Sequence, residues 1–245
     1  MSNIKKKSNI TSSSSLGITS DIVNNIIAYV DSNKKEKIIS FLDKIHPADT
    51  ADLLEMLAEE YRKKVIFILE EKFPAQALPS MNVPILVGII EYFKLKHLIE
   101  MLSRLDTDDI TYVLEVCDET VRKKILLGMP TALKKLIKKS LNYSEDSAGR
   151  IMQSDYVSVP VNWTIGQVID YLRMSKAVPD QFYALFAVDS RHIPVGTVPL
   201  YIAMRKSRDV KISNIMTRNP KIIKVGDQRQ DIAFLFDQYE LTSAP

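Results

Sequence analysis

The feature that most constrains the fold is a helical pattern that occurs twice. Laying Ile38 to Leu69 on Leu98 to Met129, a shift of 60 residues, brings Ile39, Leu42, Asp49, Leu54, Glu55, Glu59, Arg62, Lys63 and Lys64 onto identical residues at 99, 102, 109, 114, 115, 119, 122, 123 and 124. Within each copy the apolar residues recur at helical spacing in short bursts, such as Leu53, Leu54 and Leu57, then Val65, Ile66 and Leu69. Prolines at 47, 74, 79, 84 and 130 separate the bursts and belong in loops or first helical turns. A short helical repeat cannot bury its apolar stripe alone, so its neighbours stack on it. Residues 20–143 are therefore expected to form an all-α superhelical solenoid, behind a disordered tail over 1–19.

After Gly149 the period changes. Tyr156-Val157-Ser158-Val159 and Tyr183 to Val188 read as strands, and Ile165 to Met174 as a helix. This half is α+β and also repeats, since Ile151-Met152, Val159 and Val168-Ile169 are matched 64 residues later by Ile215-Met216, Ile223 and Ile232-Ala233. Trp163 and Tyr183 lie in apolar settings and read as core.

Composition narrows the function classes. The net charge of +3 comes from 33 basic against 30 acidic residues. Lys5, Lys6 and Lys7 account for the surplus, so residues 21–245 are neutral and nucleic acid is not the expected main partner. Lys134, Lys135, Lys138 and Lys139 read as a solvated helix face. The one cysteine, Cys117, has no partner spacing and reads as a buried, inert thiol. No apolar run reaches the roughly 20 residues that span a bilayer, and Ser12 to Ser15 follow the lysines where a secretory signal would be apolar. His46, His97 and His192 lack zinc spacing, and no Walker A, GxGxxG or GxSxG motif occurs. An enzyme is not expected.

The 64-residue repeat resembles a pair of CBS domains, with a first copy over 144–206 and a second over 207–245 that stops where its next strand should begin. His46-Pro47-Ala48-Asp49 followed by Ala51 to Glu55, and the junction Ser144 to Gly149 before Ile151-Met152, resemble the MgtE-type magnesium transporters. That resemblance implies a cytosolic Mg2+-sensing and gating region, homodimeric through its CBS domains. It sits on the cytoplasmic face of the membrane and works with a C-terminal transmembrane domain that lies outside these residues. Alone, these residues would move no Mg2+.

Carboxylates gather at Asp106, Asp108 and Asp109 and at Glu145 and Asp146. Mg2+ takes oxygen ligands and keeps several waters, so one or two carboxylates suffice for a weak regulatory site. Acids at helix starts also cap free N–H groups and answer the helix dipole, which is the competing reading of each. The resemblance assigns Mg2+ to Asp108, to the backbone at Gly149 and to Glu240; Asp109 joins Asp108 as its neighbour. The family's second acid, a turn after Asp108, is Tyr112 here, and acids expected in the second CBS copy are Gln228 and Gln230, which implies weaker or fewer sites. Two other functions stay open. One is an adenosine-nucleotide sensor, against which Ala184, Pro199, Tyr201 and Ile202 replace residues that would stack on adenine or hold ribose. The other is a helical-repeat interaction scaffold.

Overall fold

The computed structural model describes residues 17–179 and 181–245. Most of the stretch read as a tail, residues 1–16, lies outside the described residues. The chain divides into two compact units, the first running to Leu105 and including Val113–Gly128, the second comprising Asp106–Tyr112 and Met129–Pro245.

The helices up to Gly128 reproduce the 60-residue shift, with α7 divided between the two units. Helix α1 (Ser20–Asp31) precedes α2 (Lys35–Leu42), α3 (Pro47–Met56) and α4 (Glu59–Leu69). After 3-10 turns and α5 (Val83–Ile90), α6 (Leu95–Leu102), α7 (Thr107–Val116) and α8 (Glu119–Gly128) start 60 residues after α2, α3 and α4. One shared residue has a clear mechanical reason. Arg62 donates to the Leu54 and Leu57 carbonyls at 2.7 and 2.8 Å, and Arg122 donates to those of Glu115 and Cys117 at 3.3 and 3.1 Å. In each copy the guanidinium satisfies carbonyls that the preceding helix leaves open at its end. Ile38, Leu53, Leu54, Ile66, Leu86 and Leu102 are fully buried, each contributing about 1.5–3 kcal/mol of transfer free energy. His46 caps the start of α3, its Nδ1 accepting the Ala48 N–H at 3.2 Å. Cys117 is buried, and its desolvated thiol is pushed up to about 11.

The second unit adds α9 (Thr131–Leu141), α10 (Ala148–Ile151), α11 (Ile165–Met174), α12 (Leu200–Met204) and α13 (Arg229–Gln238). Its four-stranded sheet runs in the order β1 (Val157–Pro160), β2 (Ala184–Val188), β3 (Pro194–Pro199) and β4 (Thr217–Arg218). Strands β1 and β2 are parallel, and the other pairs are antiparallel. A parallel pair needs a crossover, and α11 supplies it, started by a capping box between Thr164 and Gln167. Val157, Val159, Leu185, Ala187 and Val198 meet Ile165, Val168, Ala203 and Ile212 in one core, against which Trp163 packs. Tyr183 differs from its reading as core: it is 70% exposed, because it stands just before β2, where its carbonyl accepts the Leu200 N–H and its ring faces solvent.

The 64-residue repeat is written in the backbone hydrogen bonds. Ile165 N–H donates to Val210, Ile212 to Trp163 and Ser213 to Val161. Shifted by 64 and with the copies exchanged, the same bonds recur as Arg229 to Asp146, Ala148 to Asp227 and Gly149 to Val225, at 2.7–2.9 Å. The bridges Thr164 to Lys211 and Ser147 to Gln228 obey the same exchange. The two copies are thus related by a pseudo-two-fold, each copy's opening segment pairing with the start of the other's first helix. This is the arrangement expected of a CBS pair.

Candidate functional site

The acidic turn lies at the start of α7. Asp106 stands where the first helical copy has His46, the residue that caps α3, and Asp109 stands where it has Asp49. Those two acids fit positions that the repeat uses for helix starts. Asp108 stands where the first copy has Ala48, so the helix start does not require an acid there. Thr107 and Thr111 are buried beneath the turn, the Thr111 hydroxyl donating to the Thr107 carbonyl at 2.7 Å.

The electrostatics of this turn are unfavourable as they stand. Asp108 is half-buried, and desolvation raises its pKa, opposed by hydrogen bonds from the backbone N–H groups of residues 108 and 109 and reinforced by Asp106. Its Oδ1 is buried without a hydrogen-bond partner. Asp109 is pushed up to about 6, first by desolvation and then by the charges of Asp108 and Asp106. The charges acting on this pair are other carboxylates. A hard cation would relieve both the desolvation and the repulsion, and a partnerless carboxylate oxygen is the donor that Mg2+ takes. The residues therefore fit the ion, but as a partial shell: among the described residues no three His, Cys, Asp or Glu side chains converge on one point.

The other assigned residues have structural accounts of their own. Gly149 is buried, donates its N–H to the Val225 carbonyl at 2.9 Å, and receives the Ser140 hydroxyl at 3.5 Å. A Cβ there would stand 2.5–2.8 Å from the Tyr143 ring, whereas its repeat partner, Ser213, makes the equivalent backbone bond with a side chain. The glycine thus answers a local ring contact. Glu240 is exposed with φ 50°, and its N–H and that of Leu241 donate to Asp237 and Phe236, closing the end of α13 as a left-handed cap. It is not among the charges that act on Asp108 and Asp109. Tyr112 is half-buried.

Tandem helical repeats followed by a pseudo-symmetric α+β pair define the class of fold. Residues 45–146 match the family model of the MgtE intracellular N domain. The magnesium transporter MgtE of Bacillus subtilis is 23% identical over 227 residues, which cover 92% of this chain and 50% of that protein. The Thermus thermophilus MgtE is 26% identical over 211 residues, 83% of this chain and 46% of that protein. Over these stretches the chain is similar to the MgtE transporters, and it spans about half the length of the curated relatives it matches. Its fold is also that of two solved structures at 20% identity. One is the soluble part of a magnesium transporter, with TM-score 0.76 over 91% of this chain and 88% of that one. The other is the cytosolic domain of the Mg2+ channel MgtE in complex with ATP, with TM-score 0.82 over 91% of both chains.

Proposed function

We propose that this chain is the Mg2+-sensing and gating region of an MgtE-type magnesium transporter, acting on the cytoplasmic side of the membrane as a homodimer through its CBS pair. The observation that carries this reading is the acidic turn, where Asp108 Oδ1 is buried without a partner beside the desolvated Asp109. Asp108 is the primary ligand and Asp109 its neighbour, with the Gly149 backbone and Glu240 as further candidates. Mg2+ stabilises whichever state of the chain binds it better, and the carboxylate repulsion it removes favours the more compact one. Pore opening and closing are assigned to the transporter's transmembrane domain; no described helix is long and apolar enough to cross a bilayer. None of the constellations that would support an enzyme is part of the reading.

Small-angle scattering across a Mg2+ titration tests it. The radius of gyration is expected to fall modestly, because Tyr112 has replaced one ligand, and Asp108→Asn is expected to shift the transition to higher Mg2+, with Lys138→Gln as a surface control. A flat titration, or Asp108→Asn compacting with the parent, would show that helix capping is the whole role of Asp108.

The nucleotide reading has one observation in its favour: a protein of the same fold was crystallised with ATP. Against it, Tyr201 is 67% exposed and Ile202 half-buried on α12, so neither offers a carboxylate to a ribose hydroxyl. Losing that charge-assisted bond costs about 1.5–3 kcal/mol. Calorimetric titration is expected to show weak or no ATP binding; a micromolar Kd would restore the nucleotide-sensing function.

A further inference from the structure

We infer that residues 205–224 form a docking surface for anionic lipid headgroups, an inference that rests on the membrane-transporter reading above. This segment joins α12 to the second CBS copy and holds seven cations against one acid, Asp209. All seven are exposed. Arg208 is neutralised by Asp170, to which it donates at 2.7 Å. Among the described residues Arg205, Lys206, Lys211, Arg218, Lys221 and Lys224 have no carboxylate within salt-bridge distance.

The fold does not demand this charge, because the pseudo-two-fold supplies an internal control. Residues 141–160 serve the same backbone role in the first copy, with the same exchanged hydrogen bonds, and carry one cation, Arg150, against Glu145, Asp146 and Asp155. The segment's charge is +6 (seven minus one) and its counterpart's is −2 (one minus three). Helix capping explains part of the basic segment at most, since Arg205 and Lys206 follow α12 but Lys211, Arg218, Lys221 and Lys224 follow no α-helix.

Lipid is favoured over other polyanions by what accompanies the charge. Ile222 and Val225, flanking Lys224, are 53% and 45% exposed, and Lys221 lies 4.0 Å from the centre of the half-exposed Tyr239 ring. Cations with exposed aliphatic and tyrosine side chains suit the headgroup layer, where each Lys or Arg strengthens attraction on the order of fivefold. The segment itself has no aromatic residue on which bases could stack. Strand β4, paired with β3 through Gly196 to Arg218 and Thr197 to Thr217, holds the middle of the segment on the sheet.

Flotation with phosphatidylcholine vesicles, with and without phosphatidylglycerol, in EDTA and at low and high salt, tests the surface. The chain is expected to float only with phosphatidylglycerol and to be released by salt. The variant Arg205→Gln/Lys206→Gln/Lys221→Gln/Lys224→Gln is expected to bind at least tenfold more weakly. Lys34→Gln/Lys35→Gln/Lys138→Gln/Lys139→Gln, with the same net charge, is expected to bind like the parent. Equal loss in both variants, no flotation with phosphatidylglycerol, or equally tight binding to a single-stranded oligonucleotide would overturn the proposal. EDTA separates the two readings. Flotation without a Mg2+ response in scattering counts against sensing alone, and a Mg2+ response without flotation counts against this surface alone.

Discussion

Gly149→Ala is expected to destabilise the chain by about 2–3 kcal/mol, a large effect for one methyl group. The added carbon would meet Cγ, Cδ1 and Cδ2 of Tyr143 at 2.5–2.8 Å. Those atoms are the root of the ring, so the tyrosine cannot swing clear by rotating its tip. Backbone retreat is also blocked, because Gly149 N–H is bonded to Val225 and Ala148 N–H to Asp227, at 2.9 and 2.8 Å. Urea unfolding of Gly149→Ala, Tyr143→Ala and the double variant measures the clash, and the two losses should be clearly less than additive. Strict additivity, or an unchanged midpoint in Gly149→Ala, would mean that the ring does not dictate the glycine. The pairing also matters for metal studies. Any loss of Mg2+ response in Gly149→Ala has to be read against the same change made with Tyr143→Ala, where the clash is gone.

Asp109→Asn is expected to stabilise the chain at neutral pH and to flatten part of its pH dependence. Asp109 is pushed up to about 6 from its ordinary 3.8. Between those values the folded state holds a proton that the unfolded state has lost, so stability is highest below the lower value and falls as pH rises through the upper one. Undiscounted, the shift corresponds to about 3 kcal/mol; solvent reaches this half-exposed side chain, which reduces it to about 1–2 kcal/mol. The asparagine keeps the shape without the charge. Urea midpoints for parent and variant should coincide near pH 4 and separate above about pH 6, the variant being more stable. Parallel curves would show that Asp109 carries no desolvation penalty. Added Mg2+ at neutral pH should stabilise the parent more than the variant, since only the parent has the Asp109 charge to neutralise.

Much of the architecture was legible because it is repeated. Apolar period and identities at a shift of 60 mark α2–α4 and α6–α8, and the shift of 64 marks the two copies that the exchanged hydrogen bonds pair. What the repeats could not convey is contact across long sequence separation. Nothing local to Asp106–Tyr112 reveals that these residues belong to the same compact unit as Met129–Pro245. Tyr143 lies six residues before Gly149, yet no pattern states that its ring occupies the space a Cβ would need. Tyr183 misled because its neighbours are apolar while its own position, just ahead of β2, turns it outward. The acidic turn was visible as composition. Its reason for notice, one acid where the first copy has alanine and an oxygen without a partner, needs the alignment of Asp108 with Ala48 and the burial of Oδ1 together.

The exchanged pairing of the two CBS copies has a consequence for the order in which the chain is made. Ser147 pairs with Gln228, which is translated 81 residues later (228 minus 147). At about 5–20 residues per second the ribosome needs roughly 4–16 s to deliver the partner. Helices α2–α4 can collapse on one another in far less time, since their contacts are local. During those seconds the helical half is available to fold, while the N–H groups of Ala148 and Gly149 wait for Asp227 and Val225. The nascent protein therefore passes through a stage with a formed helical repeat and an unpaired junction, and the junction is completed only when residues 225–229 emerge.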